Sequence, residues 1–130
     1  MTCAAIIRAA VRMLCEEPDS PHSSDYAERA PYLIAASCVQ CSPLDAAYRT
    51  AHGIAPVPPF EGLELKSTDT FPLSPPFAPL VGYYLAAMLV LEENEEMSDR
   101  FFSLYSDGLA SLQASLPAHL SPIIDRYGLN

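Results

Sequence analysis

Apolar residues recur at helical spacing along most of this chain, and proline, glycine or a charged run closes each such stretch. Residues 2–16 predict an amphipathic helix. Cys3, Ile6, Ile7, Ala10, Val11 and Leu14 share one side, while Arg8, Arg12 and Glu16 share the other, as a solvated face would. Pro18 and Pro21 end it, and EPDSPHSS reads as a loop. A second helix is expected from Ser24 or Asp25, where Asp25 and Glu28 have capping-box spacing, with Tyr26, Leu33, Ile34, Val39 and Cys41 as its apolar set. Pro31 lies inside that pattern and should kink or delay the helix. In SPLDAAYRTAHG, Ser42 suits an N-cap, Pro43 the first helical position and Gly53 the stop. That stretch is either a short separate helix or the bent continuation of the second.

Residues 53–75 carry prolines at 56, 58, 59 and 72 and predict an irregular loop; a short hairpin between the Phe60–Leu65 region and TDTFPL is the alternative. Phe77–Leu91 is different. Its fifteen residues hold no charge and no polar group except two tyrosine hydroxyls. Such a helix is about 22 Å long, short of the roughly 20 residues that cross a hydrocarbon core. With no polar face it must be covered on all sides in water, so a central helix is expected at 77–93. Glu92 and Glu93 should close it, and Asn94, which tolerates the left-handed conformation, should turn the chain. Glu95, Glu96 and Asp99 then open the next helix, where negative charge is favourable.

That helix, about 97–116, is two-sided: Met97, Phe101, Leu104, Tyr105, Leu109, Leu112 and Leu116 lie opposite Asp99, Ser103, Ser106 and Gln113. Gly108, within the apolar stripe, suggests close approach of another helix backbone, that of the central helix. The short connection makes the two antiparallel. Pro117 stops the helix, and LSPIIDRYG predicts a final helical turn over Pro122–Tyr127 that packs Ile123 and Ile124 on the bundle. The expected fold is all-α: one domain over 1–130, a small bundle of about four helices around 77–93.

Composition narrows the function. At 130 residues, half of them apolar, the chain can bury roughly two-thirds of its unfolded surface, and its 13 prolines do not make it a disordered sequence. A net charge of −9 with seven basic residues disfavours nucleic-acid binding as a primary role. Arg8 and Arg12 interrupt the first apolar stretch, so it does not read as a signal peptide, and cytoplasmic residence is expected. The four cysteines (Cys3, Cys15, Cys38 and Cys41) then read as reduced, small hydrophobes.

Candidate chemistry is thin. Cys38 and Cys41 form the one CxxC pair, but a redox dithiol needs a preceding strand and a thiol at a helix N-terminus. Zinc would need two further ligands from Cys3, Cys15, His22 or His52, and no second CxxC or HxxxH exists. Glu92, Glu93, Glu95 and Glu96 lack the alternating spacing and glycine turn of a calcium loop. The three histidines lie far apart in loop-like contexts, and no glycine-rich phosphate loop occurs. No catalytic, cofactor or metal residue is expected.

The layout resembles one family. A short amphipathic opening, AAIIRAAVRML, is followed by a proline-bearing helix, YAERAPYLIAASC, and then by FPLSPPFAPLVGYYLAAMLVLEENEEMSDRFFSLYSDGLASL, an apolar helix, an acidic turn and a two-sided helix. This is similar to the small all-helical proteins of tailed bacteriophages and prophages at the head–tail junction, called head–tail connectors, adaptors or neck proteins. The CVQC pair and the SPIIDRYG tail depart from it. The resemblance implies a non-enzymatic assembly protein that forms a ring between portal and tail, with portal, tail and neighbouring subunits as partners. It implies no membrane role, and residence in the bacterial cytoplasm and then the virion neck. The 53–75 loop would be the segment that orders on assembly. Two other readings stand beside it: a helical adaptor that takes a partner helix in an apolar groove, and a thiol or zinc protein built on Cys38 and Cys41.

Overall fold

The computed structural model describes residues 1–14 and 21–117. Among them lie four helices and no strand: α1 (Cys3–Met13), α2 (Ser23–Ala51), α3 (Phe77–Val90) and α4 (Glu95–Ala114). The expected all-α bundle is what forms, and α3 is its hub. It packs against each of the other three helices, most extensively against α4. Ten of its fourteen residues are buried, including Leu85, Ala86 and Ala87 in succession, so no side of the helix faces water along its middle. No helix among the described residues is long and apolar enough to cross a membrane.

The acidic turn differs from expectation in two ways. α3 ends at Val90 rather than at 93: residues 91–93 form a turn in which the Glu93 N–H reaches the Val90 carbonyl three residues back, at 3.0 Å, and the chain leaves the helical conformation at Asn94. Asn94 is extended (φ −153°), not left-handed, and its Oδ1 accepts from the Met97 N–H at 3.0 Å as the N-cap of α4. Glu95 and Glu96 occupy the first turn, where the helix dipole favours them. The positive group that α3 lacks in its own last turn comes from α2: Arg29 Nη2 donates to the Met88 carbonyl at 3.0 Å.

α4 runs antiparallel to α3. Ser98 Oγ donates to the Ala87 carbonyl at 2.8 Å, Tyr84 meets Phe102 and Tyr105, and Leu80 lies over Gly108. A Cβ on Gly108 would overlap the Leu80 side chain, so the close approach is by a side chain and not by the backbone expected. Leu104 falls off the buried stripe and stands 43% exposed.

α2 is one helix of 29 residues that passes through both Pro31 and Pro43. It begins at Ser23 after His22, with no side-chain cap; Asp25 pairs with Arg29 one turn on (3.2 Å) instead of serving a capping box. Ser42 is not an N-cap either, since its hydroxyl donates to the Cys38 carbonyl at 2.9 Å within the continuing helix. An interior proline costs a helix about 3 kcal/mol. Burial of Tyr26, Ala30, Ile34, Cys38, Cys41 and Leu44 along one face offsets that cost, and Val39 points outward. Gly53, at φ +67°, closes the helix in the left-handed conformation as its position predicts.

Residues 53–75 form no hairpin. Thr70 instead bridges antiparallel to Thr2, and the Phe71 N–H donates to the Met1 carbonyl at 2.9 Å. The free N–H groups of Cys3 and Ala4 at the start of α1 take the Asp69 and Ser67 carbonyls, both at 2.9 Å. A helix N-terminus has four such unpaired donors, and they capture this segment more readily than its own two halves pair. Leu65, Phe71 and Leu73 anchor it by burial. Cys15 and the expected turn over Pro122–Tyr127 lie outside the described residues.

Candidate functional site

Two polar knots are buried in the bundle. In the first, the Tyr105 hydroxyl of α4 donates to Gln40 Oε1 at 2.9 Å and lies 3.1 Å from Ser37 Oγ and 3.4 Å from Cys41 Sγ, both on α2. Burial, and then the neighbouring Cys41, push the Tyr105 hydroxyl well above its usual pKa. In the second, Asp45 of α2 is 2% exposed. Its Oδ2 accepts from Arg49 Nε at 2.9 Å and its Oδ1 from the Ser74 N–H at 3.0 Å, just ahead of α3. Ser42 Oγ accepts the Phe60 N–H at 3.1 Å, and Arg49 Nη1 donates to the Ala55 carbonyl at 3.2 Å. These bonds tie the 53–75 segment to α2 at both ends. The space beside Ser42 and Asp45 in the second knot is about 20 Å³, room for one water.

The cysteines lie inside. Cys3, Cys38 and Cys41 are buried free thiols, and Cys38 and Cys41 sit mid-helix in α2. Side chains three apart on a helix hold their Cβ atoms about 5–6 Å apart, beyond the roughly 3.5–4.5 Å of a disulfide. Burial raises the pKa of all three, most strongly that of Cys38, which also faces Cys41, Cys3 and Asp45. Thiols held protonated are poor nucleophiles and poor metal ligands. Among the described residues no three His, Cys, Asp or Glu converge as a metal site. His22 stacks on Tyr26 and lies 3.8 Å from Glu93, while His52 stacks on Tyr48 with a ring nitrogen 3.0 Å from its carbonyl. Glu92, Glu93, Glu95 and Glu96 are all exposed.

What the molecule offers to others is surface. Tyr32, Ala36, Val39, Pro43, Ala46 and Thr50 form an uncharged, exposed stripe along the outer face of α2. From the adjoining loop Ile54, Val57 and Leu63 project, Leu63 being 86% exposed. A separate apolar groove of about 410 Å³ lies between α1 and α3. The stripe escapes sequence reading because Ala, Ser and Cys fill the opposite, buried face of α2, which conceals which side is inward. Comparison with protein-family models, curated proteins and solved structures finds no match for the chain.

Proposed function

We propose that this chain is a non-enzymatic assembly protein that acts through its surface at a phage portal–tail junction, as its resemblance to head–tail connectors implies. The observation that supports this most is the 53–64 segment. It is tethered at Ala55 and Phe60 yet leaves Ile54, Val57 and Leu63 in water beside the uncharged face of α2. Exposed apolar side chains of this kind gain from being covered by protein, and a neighbouring subunit in a ring would supply the cover. The net charge of −9, with the exposed glutamates at the α3–α4 turn, suits a ring through which DNA slides without sticking. Portal, tail and adjacent copies are the partners. The location is the bacterial cytoplasm and then the virion neck.

Electron microscopy of the purified protein, alone and mixed with a phage portal protein, tests the reading. Closed rings or portal-bound density are expected. Absence of any ring or neck association, with no portal, capsid or tail genes adjacent, contradicts it. The α1/α3 groove favours a second reading, an adaptor that seats a partner helix there, which titration with amphipathic peptides would separate from ring formation.

A further inference from the structure

Leu63 stands in solvent on a short bridge that is fixed at both ends. On one side the Phe60 N–H donates to Ser42 Oγ at 3.1 Å, and the Phe60 ring lies so close to Gly62 that a Cβ there would meet it at 2.7 Å. On the other side Leu65 is buried, and its N–H donates to the Pro31 carbonyl at 2.9 Å. Between these anchors Glu61, Gly62, Leu63 and Glu64 are all exposed, and the chain bends at Leu63. A leucine held 86% in water by anchored neighbours gives up little conformational freedom when something covers it. Two glutamates flank it.

The groove between α1 and α3 has the opposite character. Met1, Ala5, Ala9 and Met13 form one wall and Pro79 and Gly82 lie in the other, so its lining is apolar. At about 410 Å³ it falls within the roughly 300–1,000 Å³ of clefts that enclose an apolar group. Arg8 and Arg12, both exposed, stand one turn on from Ala5 and Ala9 and so flank the α1 wall. Among the four described helices, α1 alone carries basic side chains and no acidic one. On a chain of net charge −9, α1 is therefore where an acidic surface is attracted instead of repelled.

We propose, taking the assembly reading as given, that Leu63 of one copy seats in the α1/α3 groove of the next, with Glu61 and Glu64 against Arg8 and Arg12. Knob and groove share no residue, so the contact is head-to-tail. Each copy has one of each, and repetition closes into a ring or runs on as a filament. The occupant is a second copy and not a foreign helix because the chain itself carries both the exposed leucine and the charges that match the rim of the groove.

Sedimentation of the unaltered protein at rising concentration, alone and with a phage portal protein, should show association that continues past the dimer. Leu63→Glu lacks the knob, and Ala9→Trp fills the groove from an exposed position. Each should weaken association by about tenfold or more. Mixed one to one, the two variants should form a pair and nothing larger, since one usable knob and one usable groove remain between them. Should Ala9→Trp fail to fold, Arg8→Glu, outside the core, takes its place. Association that both groove-side variants leave unchanged, a mixture that does not pair, or a dimer that never grows overturns this contact while other ring contacts stand. A protein that stays monomeric at every concentration, with and without portal, overturns this contact and the ring together; an amphipathic peptide bound in the groove of that monomer would identify a foreign helix as the occupant.

Discussion

Asp45 holds three parts of the molecule together: its own helix, the tethered loop through Arg49, and the entry to α3 through Ser74. Replacing it with alanine leaves a guanidinium and a backbone N–H without their buried acceptor. Asp45→Ala should lower stability by about 2–4 kcal/mol, read as a reduced urea midpoint. Tyr105→Phe removes one hydroxyl but strands Ser37, which is fully buried, and should cost about 1–2 kcal/mol in the same measurement. The Asp45–Arg49 pair has the i, i+4 spacing of neighbours on a helix, although the sequence reading did not single it out. Its burial was not legible, because that depends on Ser74, 29 residues away. Ser37, Ser42 and Ser98 were hidden for a similar reason: a small hydroxyl inside a helix carries no sign in the sequence of the carbonyl or phenol it will meet.

Among the elements, α3 and α4 were readable because each carries a strong periodic or unbroken apolar signal. In α2 the start near Ser24 and the continuation past Pro43 were among the expected alternatives, but Pro31 and Pro43 also mark possible boundaries, which tertiary packing overrides. The turn between α3 and α4 was assigned to the right residues with the wrong conformation. Asn94 serves the helix that follows it, so Asn94→Ala should destabilise the protein by about 1 kcal/mol through loss of the α4 cap. Gly108→Val inserts a branched side chain where Leu80 already lies and should cost about 1–3 kcal/mol, with a lower thermal midpoint. The hairpin alternative failed because strand pairing within 53–75 competes with the free N–H groups of α1, which the sequence of that loop does not contain.

At the scale of the whole molecule, the buried thiols and Tyr105 set a pH limit. Their pKa values are raised in the folded chain, so the unfolded chain binds fewer protons once the pH passes 9, the ordinary value for a thiol. Stability is therefore complete below that pH and declines above it, by up to about 1.4 kcal/mol per pH unit for each such group. Denaturant titrations at pH 7 and pH 10.5 should show the loss. The proposed ring assembly is tested apart from stability by Leu63→Glu: the residue is 86% exposed, so the variant should fold unchanged and, on that proposal, fail to form rings.

The claim on which the architecture and its surface both rest is that α3 is enclosed by the other helices. Amide hydrogen exchange on the purified protein measures this directly. The middle of α3, Leu85 to Leu89, should exchange slowest in the chain, orders of magnitude behind the exposed residues 53–64. Exchange of those α3 amides as fast as the loop, or slower exchange in α4 than in α3, would contradict it.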